Sequence, residues 1–277
     1  MTDVCSNSVN IYGLPTEAVY PSTDVCGASP DFMGKVSMGT TIIAIKHRDG
    51  VLLAADSRTS SGQFVVNRVA RKITRILPNV FMLRSGSAAD SQNLSTILRY
   101  HGESLKLQLK RSGRRPSGKG VEKMDLDSAR GVESMDLDVD TFQNVKNTHS
   151  YTYQTPDYPI LKSLATVTRN LVHEYRNHLH CGIILGGFDS DGPGIYNVTL
   201  GGTLIPIKDF VASGSGSGYI TAFLQDNYKE GMEKNECLEL LRKSIHYAIH
   251  NDNASGGIMR AIDVQANKVD EFYIHGF

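Results

Sequence analysis

The order of apolar periodicities along the chain predicts an α+β domain of four layers, αββα, with two sheets stacked face to face and helices over both outer faces. Two observations carry this. Some stretches are short β-branched or aliphatic runs, whereas others place apolar residues at three- and four-residue spacing. These stretches follow one another as strands, two helices, strands, two helices, strands. With 277 residues, 40% of them apolar, the chain has enough material to bury such a core.

Residues 1–38 mix Ser, Thr, Pro, Gly and Asp with single hydrophobes and no sustained period, the pattern of a flexible leader. From Thr41, "TIIAIKHRDGVLLAAD" gives two short strands, the first read as amphipathic, joined as a hairpin through Asp49-Gly50. "GQFVVNRVARKITRILPNVFMLRSG" adds further strands, with Pro78-Asn79 as a turn. Leu94, Ile97, Leu98, Leu105 and Leu109 then mark a long helix with Ser87 as its N-cap, provided that Gly102 is tolerated. From Arg111 to about Thr155 the composition turns polar, first basic and then acidic, with "GVEKMDLD" at 120–127 repeated as "GVESMDLD" at 131–138. Two copies are too few for a solenoid, so the segment is predicted to be an insertion looped out from a helix end.

A second helix follows over "YPILKSLATVTRNLVHEYRNHL", then a buried strand "CGIILGGFD" and strands at 194–199 and 203–207. After "SGSGSG" come a short helix near 218–229 and a strong amphipathic one over "EKNECLELLRKSIHYAIHND". Strands near 258–264 and 268–274 finish the chain.

Lys+Arg and Asp+Glu both number 29. No global basic field recommends nucleic acid or an acidic lipid surface as partner. No apolar run approaches the ~18 residues of a membrane span. Cys5, Cys26, Cys181 and Cys237 have no CxxC spacing, and no signal peptide precedes them, so they are expected to be reduced thiols in cytoplasm or nucleus. Three Asn-x-Ser/Thr sequons are then chance matches. No cofactor or metal is expected: the histidines lack an HExxH spacing, His246 and His250 lie on an amphipathic helix, and "DSDGPG" at 189–194 lacks the rest of a calcium loop and suits a hairpin turn.

Thr40 is the first candidate for chemistry. A threonine hydroxyl needs a base beside it, and its own α-amine, with a reference pKa near 8, is always in reach once the Gly39-Thr40 bond is cut. Such a cut would explain the leader, which blocks the amine. Asp56, at the end of the second strand, and Lys72, in "NRVARKIT", complete a coherent set: a buried ammonium lowers the amine's pKa, and a carboxylate keeps the ammonium paired.

These residues also carry a resemblance. "GTTIIAIKHRDGVLLAADSRTSSG", "NRVARKITRI", "MLRSGSAADSQ", "SGSGSGYI" and "DNASGGIMR" resemble the successive signatures of proteasome core-particle β-type subunits, over most of residues 39–277. The resemblance implies the N-terminal-nucleophile hydrolase fold. It also implies a propeptide, 1–39, removed to leave a catalytic domain of 40–277 with an insertion at about 111–155. Thr40 would be the nucleophile with Asp56 and Lys72 as electrostatic partners; Ser215, Asp252 and Ser255 would orient the amine. Gly86 N–H would face the oxyanion. Arg84 matches the specificity pocket and suits the caspase-like type that cleaves after acidic residues; Thr59 and Ala70 match other pocket positions. Ser60 and Ala88, read as strand edges, would pair with an extended peptide. The partners implied are other β-type subunits, the α-type ring and unfolded polypeptide substrates. Two other readings stay open: a non-catalytic structural subunit of the β ring, and a stand-alone amidohydrolase of the same fold. The unusually long 111–155 segment is the departure from the family pattern.

Overall fold

The computed structural model describes residues 39–61, 64–111, 145–156 and 158–275. The leader and both copies of the acidic repeat lie outside them. Strands β1 (Ile42–His47) and β2 (Gly50–Ala55) form the expected hairpin, with His47 opposite Gly50. The turn itself is Arg48-Asp49; Gly50 is already in the strand, where an added Cβ would sit 2.2 Å from Val264 O. Close packing, rather than a turn conformation, explains that glycine.

β1 is not amphipathic. Ile42 and Ala44 join a core with Leu53, Phe81, Leu83, Ile184 and Ile195, whereas Ile43 and Ile45 join another with Ile220, Leu224, Leu241 and Ile245. Both faces are covered, which is why the run is continuously apolar. The first of these cores lies between the sheets; the second lies under a helix pair.

The first sheet has the order β11-β1-β2-β12-β13-β7, adding β11 (Phe210–Ser213), β12 (Met259–Gln265), β13 (Lys268–Ile274) and β7 (Val145–Thr152). The second has the order β10-β9-β8-β6-β5, from β10 (Leu204–Ile207), β9 (Gly192–Val198), β8 (Cys181–Asp189), β6 (Val80–Gly86) and β5 (Ile73–Leu77). Helices α1 (Ala88–Arg111) and α2 (Ile160–Glu174) pack on the second sheet, and α3 (Ser217–Asn227) and α4 (Lys234–Asn251) on the first. The four-layer αββα sandwich is therefore present as expected. A small hairpin, β3 (Thr59–Ser61) with β4 (Phe64–Asn67), stands outside both sheets.

Local chemistry accounts for the helix starts. Ser87 Oγ accepts the Asp90 N–H at 3.4 Å, capping α1, and Gly102 is tolerated because a Cβ there would already be 3.2 Å from Leu77. α2 borrows its cap: Asp189 Oδ2, at the end of β8, accepts the Leu161 N–H at 2.9 Å. "DSDGPG" spans the β8–β9 hairpin, whose turn is Ser190-Asp191 between the paired Asp189 and Gly192.

Two further expectations need correction. The insertion does not run to Thr155, because Val145–Thr152 is the edge strand β7, paired antiparallel with β13. Its polar sequence hid it, since an edge strand needs fewer apolar residues than a central one. The second is β11, which the sequence reading left unassigned before the glycine-rich run.

Candidate active site

Thr40 sits at the head of β1, buried, and in this structure remains joined to Gly39. Its hydroxyl donates to Gly39 O at 2.6 Å, and its N–H donates to Ser215 Oγ at 3.1 Å. Sheet geometry brings the other groups in. β1 pairs with β2, so Asp56, just past β2, faces Thr41, and with β11, so the Ser213-Gly214-Ser215 corner lies against Thr40.

Lys72 Nζ, immediately before β5, donates to Asp56 Oδ1 at 2.7 Å and to Gly39 O at 3.2 Å. Burial pulls its pKa below the usual lysine value, and the Asp56 carboxylate opposes that shift. Asp56 is itself fully buried and accepts from Thr41 N–H, Lys72 Nζ, Arg58 N–H and Gly256 N–H. Four donors satisfy both oxygens of this buried carboxylate.

A second polar chain flanks the threonine. Ser215 Oγ and Ser255 Oγ each donate to Asp252 Oδ2 at 2.6 Å. Because the Ser255 proton is committed to the carboxylate, Thr41 Oγ1 is the donor in its 2.7 Å contact with Ser255 Oγ. The run Thr40–Ser215–Asp252–Ser255–Thr41 is thus continuous. All six residues expected to be catalytic come together, although the ends of β1, β2, β5 and β11 and the C-terminal end of α4 with the loop after it deliver them.

Sequence reasoning missed several contributors. Thr41, Ala254 and the backbone of Arg58 and Gly256 carried no signal of their own. Gly214 did carry one: in "SGSGSG" it has φ +94° and its added Cβ would meet Thr40 O at 2.1 Å, so the glycine permits backbone to pass against Thr40. Gly39 is equally constrained, since a Cβ there would lie 1.9 Å from Ala254 Cβ and 2.4 Å from Ala254 O.

Gly86 ends β6 with φ +87° and lines, with Gly214, Ser85 and Ser213, a cleft of about 500 Å³ whose lining residues do not include Thr40. Arg84 lies on β6, where its N–H donates to Lys72 O at 2.9 Å and its guanidinium donates to Arg71 O. Its Nε is buried without a hydrogen-bond partner, and burial lowers the pKa of the group. Ala70, half-buried, is fixed by its N–H to Ser57 O. Thr59 and Ser60 lie on β3, which has a strand on one edge only, β4, among the described residues. Ala88 is a correction: it opens helix α1 and is not a strand edge, because the Ser87 cap starts the helix there. Among the described residues no group of three or more His, Cys, Asp or Glu could hold a metal ion, and no helix is long and apolar enough to cross a membrane.

A four-layer αββα sandwich with a threonine at the head of an inner strand, flanked by a buried Lys–Asp pair, is the N-terminal-nucleophile hydrolase architecture. More narrowly, the chain belongs to the proteasome subunit family, whose model, described as "Proteasome subunit", matches residues 36–119 and 138–263. Proteasome subunit beta type-6 of Arabidopsis thaliana is 34% identical over 241 residues, covering 87% of this chain and 83% of that protein. Proteasome subunit beta type-6 of Dictyostelium discoideum is 31% identical over 242 residues, covering 87% and 91%. Proteasome subunit beta type-1 of Saccharomyces cerevisiae is 31% identical over 243 residues, again covering 87% and 91%.

Proposed function

We propose that this chain is a catalytic β-type subunit of the proteasome core particle, a threonine endopeptidase that cleaves after acidic residues in unfolded polypeptides. The observation that carries the reading is the Lys72 ammonium, 2.7 Å from Asp56 and 3.2 Å from the carbonyl oxygen of the Gly39-Thr40 bond. A wall subunit has no need of a buried, paired cation aimed at that carbonyl.

The same cation supports leader removal by the chain itself. Thr40 Oγ attacks the Gly39 carbonyl carbon, the hydroxyl proton passes to the departing Thr40 nitrogen, and a Gly39 ester forms on Oγ. Water hydrolyses the ester, leaving residues 1–39 with a free carboxylate and Thr40 with a free amine. In the mature subunit that amine, held by Ser215 and its Asp252 partner, takes the Oγ proton as Oγ adds to a substrate carbonyl. Lys72 keeps the amine's pKa low enough to act as a base near neutrality. Gly86 N–H serves the developing oxyanion, where removal of one donor typically slows a reaction about 10²–10³-fold. On collapse the α-ammonium passes that proton to the departing nitrogen, releasing the C-terminal fragment's amine, and the free α-amine then takes a proton from the water that hydrolyses the acyl ester.

Arg84 supports the preference for acidic residues: a guanidinium with an unpartnered, buried Nε gains most from a carboxylate and loses most when an apolar side chain covers it. Neighbouring β-type subunits, the α-type ring and a location in cytoplasm and nucleus belong to this reading. A structural, non-catalytic role is the alternative. In the assembled particle, Thr40→Ala is expected to keep residues 1–39 attached and abolish cleavage of post-glutamyl fluorogenic peptides. Mass spectrometry of the subunit reads the first outcome and turnover the second; retained post-acidic cleavage sinks the assignment.

A further inference from the structure

Away from Thr40, a second cleft opens between the two sheets where β5 faces β12 and β13. Its volume is about 280 Å³. At about 30 Å³ of liquid per water, that holds roughly nine waters, room for a few side chains but not for a helix. Alternate residues of β5 and its lead-in, Arg71, Ile73 and Arg75, form one wall, and Arg260, Ile262 and Tyr273 stand on the other. The lining thus combines apolar side chains, Ile73, Phe81 and Ile262, with three guanidinium groups. Glu271 is the carboxylate among the lining residues.

Two of the arginines are held in place over aromatic rings. Arg260 lies over the Tyr273 ring, 4.6 Å from its centroid, and donates to Val69 O at 3.0 Å, while its Nε is buried with no hydrogen-bond partner. Arg75 lies over the Tyr151 ring at 5.5 Å. β5 is also the last strand of its sheet, so among the described residues its outer edge carries no strand.

What fits is an extended segment that alternates acidic and apolar side chains, the two-residue period of a strand added to an edge. The chain contains such a segment twice: Met124-Asp125-Leu126-Asp127 and Met135-Asp136-Leu137-Asp138. The second ends just upstream of β7, and β7 begins beside the cleft, with Lys146 paired to the cleft residue Tyr273 and Val145 to Ile274. The intervening residues 139–144 reach about 20 Å when extended. We propose that the Arg71–Arg75–Arg260 cleft is the docking site of this chain's own acidic repeat, Gly131–Asp138, laid along the free edge of β5.

Limited proteolysis of the full-length chain, with cuts inside residues 120–140 followed by mass spectrometry, tests this. Arg71→Glu with Arg75→Glu is expected to speed those cuts about tenfold, because cleavage tracks the undocked population. Changing Asp125, Asp127, Asp136 and Asp138 to Asn should do the same, and combining both sets should add little. Equal rates in the parent and the Arg71/Arg75 variant overturn the proposal. So does protection that fades on dilution of the parent chain, since a neighbouring copy's segment would then be the occupant. Should the double reversal lower the melting temperature, a labelled peptide of residues 131–140 is added to the Asp→Asn chain, whose cleft is vacated. Binding that weakens in 0.5 M salt is expected, and absence of binding at millimolar peptide sinks the proposal.

Discussion

At Gly39 a single hydrogen atom decides whether the residue before Thr40 fits against Ala254. A methyl group there would overlap both the side chain and the backbone of Ala254. Gly39→Ala is therefore expected to slow release of residues 1–39 by tenfold or more, seen by N-terminal sequencing over time; Ala254→Gly should not restore it, because Ala254 O still lies 2.4 Å from the added Cβ. Lys72→Ala acts differently. It leaves the fully buried Asp56 without its cation, which typically costs about 3–5 kcal/mol, so a large fall in melting temperature should accompany loss of post-acidic cleavage. Lys72→Ala activity equal to the parent would show that the ammonium has no part in the chemistry. These effects were partly legible in sequence: Thr40, Asp56 and Lys72 follow from nucleophile chemistry. The clash at Ala254 was not, because 215 positions of chain separate the two contacting residues and only the β1–β2–β12 pairing closes that gap.

Among elements, α4 shows how one helix end can be fixed by charge. Lys234 at its start reaches Asp263 on β12 at 2.8 Å and Asp270 on β13 at 2.6 Å. Asp263 in turn meets His47 of β1 at 2.9 Å, and Asp270 accepts from Ser150 of β7 at 2.7 Å. Burial raises the Asp270 pKa, but the hydrogen bond from Lys234 and those from Ser150 and Lys268 outweigh it and hold the group below the usual aspartate value. A depressed carboxylate pKa adds stability above the unfolded-state value of 3.8, and that stability is lost as pH falls through the folded-state value. Lys234→Met should cost about 2 kcal/mol, discounted because the ammonium is a quarter exposed. The loss should shrink as the pH drops below about 4. Denaturant titration at pH 7 and pH 3.5 measures both; a constant loss would refute the linkage. The periodicity of α4 was readable in advance, but the polar residues that tie it to β12 and β13, and through them to β1 and β7, were not, since a lone Lys or Asp in sequence reads as surface charge.

For the molecule as a whole, four-layer burial sets an alkaline limit. Cys181 and Cys237 are buried, and burial pushes their thiols up to about 12 and about 11 from an ordinary 9.0. Burial likewise raises Tyr228 to about 12. Each group keeps its proton in the fold at a pH where the unfolded chain releases it, so stability is full below pH 9 and falls as pH climbs from about 9 towards 12. Circular dichroism across that range should show the loss, and Cys181→Ala should flatten the slope. At pH 8, iodoacetamide should spare both thiols until denaturant is added, because the thiolate is the reactive form. Native labelling of Cys181 would contradict its burial.

Sequence alone determined the layer order and the hairpin that opens the domain, which rest on local periodicity and turn chemistry; the intrinsic weakness of a threonine hydroxyl made Thr40, Asp56 and Lys72 candidates, and the ordered motifs carried the family resemblance. Tertiary structure decided the rest. It placed β7 in a sheet despite its polar sequence, started α1 at Ala88 in place of a strand edge, and buried β1 on both faces. It also set Gly39 against Ala254 and gathered arginines from β5, its lead-in and β12 around one cleft. Each of these is a contact between distant stretches of chain, and a periodicity of two or 3.6 residues holds no information about which distant stretch it will meet.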